Sequence, residues 1–61
     1  MTRKDYVLIA QALKTAINYE RGFNKNEESA KAIETAAEFM AGLLAHSNPR
    51  FNREMFLKAV K

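Results

Sequence analysis

The side chains in this sequence that could do chemistry are few, and they lie in the middle of the chain. His46 is the single histidine, and Glu34 and Glu38 are four residues apart. That spacing places two carboxylates on the same face of a helix. A histidine can move protons near neutral pH, and paired carboxylates can hold a metal ion when further ligands face them. These three residues are the candidates for acid–base or metal chemistry.

The rest of the sequence does not complete either kind of site. A metal site in a helical bundle needs further carboxylates and a Glu-x-x-His motif on facing helices, and the chain has no such motif. Lys31 lies one turn before Glu34, which indicates a solvated, charged helix face. His46 falls at the predicted end of a helix, where an imidazole usually interacts with the last carbonyl groups.

Other motifs of catalysis and cofactor binding are missing as well. The 61 residues contain no cysteine, which excludes disulfides and thiolate metal ligands. They contain no glycine-rich phosphate loop, no Gly-x-Ser-x-Gly elbow and no zinc-ligand spacing. We therefore predict a protein that is not an enzyme and that has no catalytic residue, metal ligand or cofactor.

The first predicted helix covers about residues 3–21. Thr2 followed by Asp5 is a capping-box pattern, and apolar residues then recur at helical spacing. Gly22 is the predicted left-handed residue after the helix, with Phe23 folding back on the last turn as in a Schellman motif.

The second predicted helix covers about residues 26–46. Asn24 or Asn26 can cap its start. Asn48, which precedes a proline, is biased away from helical geometry. The helix is therefore expected to end just before it.

The third predicted helix covers about residues 52–60, with Asn52 as its N-cap. Phe51 and Phe56 flank that cap at the positions of a hydrophobic staple. Because the turn between the first two helices is short, those helices are expected to pack as an antiparallel hairpin. The sequence thus predicts one all-α domain over residues 1–61: two long helices plus a short C-terminal helix.

Composition and charge point to a globular protein with basic ends. The net charge of +3 is distributed as +2 over residues 1–19, −2 over residues 20–46 and +3 over residues 47–61. The longest apolar run has five residues, whereas a membrane-spanning helix needs about 20. No signal-peptide pattern is present. We therefore expect a cytoplasmic protein that does not bind membranes.

Two segments at the ends of the chain carry a resemblance. They are Arg3-Lys4-Asp5-Tyr6 with Leu8-Ile9-Ala10, and Asn48-Pro49-Arg50-Phe51-Asn52-Arg53 with Phe56-Leu57-Lys58-Ala59. These segments resemble small uncharacterised open reading frames of bacteriophages and prophages. The resemblance implies an origin and no activity, cofactor or site residue. A phage-encoded protein would act in the host cytoplasm, where interference with a host protein becomes plausible.

Both long helices are predicted to carry more apolar surface than the short helix can cover. The apolar arc of each spans about 200°, whereas a surface helix needs little more than 100°. A second copy of the chain, forming a four-helix core, or a groove on a larger host protein would cover the excess. The alternative is that the third helix and Phe23 suffice. The predicted partner contacts are Tyr6, Leu8, Tyr19, Phe39, Met40 and Leu43.

Nucleic acid is the second candidate partner. In an antiparallel hairpin the start of the first helix lies beside the end of the second, so the cations of both termini would share one end of the domain. Such a cluster can contact phosphates. No helix presents a row of side chains suited to base edges, however. The candidate phosphate contacts are Arg3, Lys4, Arg50 and Arg53.

Overall fold

The computed structural model describes residues 2–61. These residues form three α-helices in the order α1 (Arg3–Asn18), α2 (Glu27–Ser47) and α3 (Arg53–Val60). A π-helical turn (Tyr19–Phe23), here the π turn, continues α1. Residues 2–61 contain no strand. The all-α fold with two long helices and a short C-terminal one is confirmed.

α1 begins with the predicted capping box. The backbone amide of Thr2 donates to Asp5 Oδ2 at 2.9 Å, and the Thr2 hydroxyl lies 3.3 Å from the same oxygen. The Thr2 and Asp5 side chains form the capping box, and the amide of Asp5 also donates to the Thr2 backbone carbonyl oxygen at 3.0 Å. The hydrogen bond from the Thr2 backbone lowers the pKa of the Asp5 carboxyl. The first turn is therefore held by reciprocal bonds.

The prediction that Gly22 is a left-handed residue ending the first helix is wrong. Gly22 lies inside the π turn, and no glycine of residues 2–61 has a positive φ. The left-handed residue is Lys25, with φ of 52°. The amide of Asn26 then donates to the carbonyl oxygen of Glu20 at 2.7 Å. The reversal resembles a Schellman closure that is one residue wider.

The wider closure has a physical origin in the hydrogen bonds of the π turn. The amide of Asn24 reaches back five residues to the carbonyl of Tyr19 at 3.0 Å, and its side-chain amide donates to Glu20 Oε2 at 2.8 Å. Phe23 does not fold back on α1. Its side chain is 76% exposed and stacks on Tyr19 with the ring centroids 5.2 Å apart.

The caps of α2 and α3 are asparagines, as predicted. Asn26 Oδ1 accepts from the amide of Ser29 at 3.1 Å, and Asn52 Oδ1 accepts from the amide of Met55 at 3.0 Å. Phe51 lies 5.3 Å from Phe56 between ring centroids, which confirms the hydrophobic staple. Each of these two helices thus starts where a side-chain oxygen takes up a free amide.

α1 and α2 form the predicted antiparallel hairpin. At one end, Asn48 Nδ2, just after α2, donates to the Tyr6 hydroxyl near the start of α1 at 3.1 Å. At the other end, Arg21 in the π turn pairs with Glu27 at the start of α2. The centre of the hairpin is made mostly of small side chains. The buried residues on the two long helices are Ala10, Ile17, Ala30, Ala37 and Ala41.

α3 packs against both long helices and closes one side of the hairpin. Phe56 and Val60 are buried, and Phe51 meets Tyr6 edge to face with the ring centroids 4.7 Å apart. A cavity lies between α1 and α3, and the α1 residues that line it come from the first two turns of α1. Leu8 and Ala12, which lie on another side of α1, do not line that cavity.

Replacing Gly22 with alanine tests the position of the left-handed residue. Because Gly22 has a right-handed backbone and an added Cβ meets no atom within 4 Å, we expect Gly22→Ala to raise the free energy of unfolding by up to about 1 kcal/mol. Lys25→Gly is expected to be stabilising too, because glycine tolerates positive φ. Urea unfolding measures both. If Gly22→Ala instead lowered the free energy of unfolding by about 1 kcal/mol, Gly22 would have a left-handed backbone conformation.

Candidate interaction surface

The side of the hairpin that faces away from α3 is an apolar surface, which we call the open face. Its residues follow each long helix at intervals of three or four, so that they line up along one side of that helix. None of them is charged. The open face consists of Leu8, Ala12, Ala16 and Tyr19 on the first helix and its π turn, and of Ala32, Ala36, Phe39 and Leu43 on α2.

The large side chains of the open face are strongly exposed. Phe39 and Leu43 are 72% and 71% exposed, and Leu8 and Tyr19 are 54% and 53% exposed. An isolated exposed apolar residue is normal on a protein surface. A row of them on adjoining helices forms a continuous patch, and such patches mark interaction sites.

A shallow groove occupies the other part of the open face. It encloses about 600 Å³ between the first helix and α2. Three of its eight lining residues are alanines and a fourth is a serine, and these side chains extend only a short way from the backbone. The residues that line it are Ala12, Thr15, Ala16, Tyr19, Glu20, Ser29, Ala32 and Ile33.

The structure brings together four of the six predicted partner contacts. Leu8, Tyr19, Phe39 and Leu43 lie on the open face, whereas Tyr6 and Met40 are half-buried and pack against the core. Tyr6 is further engaged by Phe51 and by Asn48. The alanines that form the groove were not predicted as contacts. Their spacing of four, seven or eight residues from Leu8 or Phe39, which is one or two helical turns, was the signal that could have identified them.

The four candidate phosphate contacts are exposed, and two of them share a cavity. Arg3 and Arg50 line a cavity of about 490 Å³ between the start of α1 and α3, with Tyr6 and Phe56 in its wall. Lys4 and Arg53 do not line it. Both ion pairs within residues 2–61 involve Arg21, so none of these four cations is neutralised by a carboxylate there.

The candidate acid–base and metal residues are not brought together. His46 and Glu38 are exposed, and Glu34 Oε1 accepts a hydrogen bond from the Arg21 guanidinium at 3.1 Å. In the described part of the chain, no three His, Asp or Glu side chains converge where a metal could bind. None of the helices described there combines the length and apolar character needed to cross a bilayer.

Comparisons with known proteins assign no function to these surfaces. No protein-family model, curated protein or solved structure matches the chain.

Arg21 ties the π turn to α2 through charge-assisted bonds. Its Nε donates to both carboxylate oxygens of Glu27, at 2.8 and 3.1 Å. Its Nη2 lies 3.1 Å from Glu34 Oε1. The hydrogen bond from Arg21 lowers the pKa of the Glu27 carboxyl. The side chains of Arg21, Glu27 and Glu34 all reach solvent. The two ion pairs therefore contribute little to the free energy of unfolding, and salt screens that contribution.

The pH dependence of unfolding tests this contact. Because the pKa of Glu27 is lower in the folded state, its contribution is present above the ordinary pKa of about 4.3 and is lost as the pH falls through the folded-state value. We expect Glu27→Gln to be less stable than the wild type at pH 7 and to lose less stability on acidification. Glu28→Gln, in the same first turn but without an ion pair, is the control. Thermal unfolding between pH 7 and pH 2 that is identical for both variants would contradict the assignment.

Proposed function

We propose that this chain is a non-enzymatic helical protein–protein interaction module that binds through its open face. The single observation that supports the proposal most directly is the exposure of Phe39 and Leu43, at more than 70% each, beside Leu8 on the same apolar surface. Self-association into a four-helix core is the simplest form of this function. The other form is binding of the open face to a groove on a larger host protein, which a phage origin would favour.

The composition of the core supports a role for a partner. Of the seven buried residues in the described chain, four are alanines, which contribute little apolar area. A domain of about 60 residues already buries only about 60% of its unfolded surface. Full burial of a Phe or Leu side chain is worth about 1.5–3 kcal/mol. Covering the open face would therefore add stabilisation that the isolated chain lacks.

The chemistry of the open face is that of an interface centre. Interface cores are depleted of charged residues and enriched in aromatic ones. The open face carries Phe39 and Tyr19, and Glu20 is the one charged residue that lines its groove. The basic residues Arg50 and Arg53 lie outside the open face, near the start of α3, and exposed charge of this kind affects the rate of encounter more than the affinity. We assign that role to Arg50 and Arg53.

Substitution of the large open-face residues tests the proposal. Because Phe39 and Leu43 contribute little to the core, we expect Phe39→Gln with Leu43→Gln to leave the folded monomer intact and to weaken self-association at least tenfold. The control is Val7→Gln with Met55→Gln, which removes exposed apolar residues outside the open face. Sedimentation velocity at micromolar concentrations measures association, and circular dichroism measures folding. Equal association of the two variants would contradict a role for the open face.

Binding to phosphate groups is the second candidate function. The observation that favours it is the cavity shared by Arg3 and Arg50, neither of which has an ion-pair partner in residues 2–61. Free cations at one end of a small domain can displace counterions from a nucleic-acid backbone. Such binding would be independent of sequence and sensitive to salt.

Neutralising the four cations tests this second candidate. Arg3, Lys4, Arg50 and Arg53 are exposed, so replacing all four with glutamine is expected to abolish DNA retention while the helices remain folded. A matched control replaces four cations elsewhere, namely Lys14, Lys31, Lys58 and Lys61. Retention in a gel-shift assay is compared at low and moderate salt. If the first variant is retained as well as the wild type, these four residues do not bind phosphates.

A further inference from the structure

We infer that the occupant of the open face is a second copy of this chain, turned end over end. The two copies would be related by a two-fold axis that lies in the interface and runs perpendicular to the helices. This inference rests on the proposed function and adds to it the identity of the partner and its orientation. It follows from the uneven relief of the open face and from the spacing of its residues.

The open face has a raised end, which carries three of its four large side chains, and a lower end, where Tyr19 is the fourth. Because α1 and α2 are antiparallel, Leu8 near the start of α1 and Leu43 near the end of α2 belong to the same end, the one marked by the Tyr6–Asn48 hydrogen bond. Leu8, Leu43 and the neighbouring Phe39 protrude there. The groove, floored by alanines, lies towards the π turn.

The raised and low positions are arranged symmetrically along each helix. On α2, Leu43 and Ala32 are equally distant from a point between residues 37 and 38, and so are Phe39 and Ala36. On α1, Leu8 and Ala16 are equally distant from position 12.

These centres of symmetry lie at about the same level of the hairpin. Position 12 is close to the middle of the first helix together with its π turn, residues 3–23, and positions 37 and 38 are at the middle of α2. Because the two helices are antiparallel with their ends level, a single axis can pass near both centres.

An end-over-end rotation about that axis pairs three of the four large side chains of the open face with alanines, and Tyr19 falls at the end near Asp5 of the other copy. Leu43 of one copy would lie over Ala32 of the other, Phe39 over Ala36, and Leu8 over Ala16. A rotation about an axis parallel to the helices would instead bring the raised ends together and leave the grooves empty. Close packing without voids distinguishes the two arrangements. It favours the first, in which α1 packs on α1 and α2 on α2 of the other copy.

The edge of the open face fits the same symmetry. Glu28 and His46 are eighteen residues apart, which is five full helical turns, so they lie on the same side of α2. Both are exposed, and their midpoint is residue 37. The end-over-end rotation would place Glu28 of each copy beside His46 of the other at the rim, where a carboxylate and an imidazole are compatible.

A size exchange tests the arrangement. Ala32→Leu fills the groove with a side chain that would collide with Leu43 of the second copy, so we expect it to weaken association about tenfold or more. Adding Leu43→Ala in the same chain should restore association, because the large and small partners are then exchanged. Both positions are exposed in the monomer, so folding is preserved. Sedimentation equilibrium gives the dissociation constants.

A cysteine variant gives a second measurement that does not depend on affinity. Residues 2–61 contain no native cysteine. In the Ala12→Cys variant the new cysteine of one copy would lie next to the same cysteine of the other copy, because position 12 is at the axis. We expect this variant to form a disulfide-linked dimer on mild oxidation. Lys14→Cys, which is exposed on α1 outside the open face, is the control and should cross-link much more slowly.

The outcomes separate this inference from the proposed function. Restored association in the double variant and selective cross-linking at position 12 would support both. A wild-type dimer that is weakened by Ala32→Leu but not restored by Leu43→Ala would overturn the end-over-end arrangement and leave self-association through the open face standing. A wild-type chain that is monomeric at all accessible concentrations would overturn the second copy as the occupant.

Discussion

The close approach of α1 and α2 through small side chains is the constraint on which the rest of this structure depends. Ala30, Ala37 and Ala41 are fully buried, and Ala10 is 1% exposed. Alanines at these positions let two helix backbones approach closely and lose almost no side-chain entropy on folding. They also bury little area each, so the hairpin alone has a weak core. The domain therefore depends on what covers the two sides of the hairpin.

The two sides of the hairpin are covered differently. On one side, α3 supplies Phe56 and Val60, and Phe51 in the preceding turn links them to Tyr6. The other side, the open face, has no covering element within residues 2–61, and its large residues remain in solvent. This asymmetry explains how one short helix can complete a fold and still leave a continuous apolar surface. It is also the reason why the open face, rather than any ionisable group, carries the proposed function.

The chain reversal between the long helices shows how local hydrogen bonding and the pairing of helices act together. The π turn carries the first helix through Phe23, past Gly22, and the left-handed residue becomes Lys25. Within that wider turn Arg21 reaches Glu27 and Glu34 of α2. A tight reversal at Gly22 would have been favoured by local propensity alone. The ion pairs of Arg21 connect this wider turn to α2.

Sequence alone determined the three helices of residues 2–61, the asparagine caps and the phenylalanine staple, because capping chemistry and helical periodicity are local. It also predicted Leu8, Phe39 and Leu43 as partner contacts. It did not separate Tyr6 and Met40, which pack against the core, from those exposed residues, although all lie on the same broad apolar arcs. Which part of an arc is buried depends on where α3 docks and how closely the alanines let α1 approach α2. The alanine groove likewise exists only between two helices, so only the tertiary structure could reveal it.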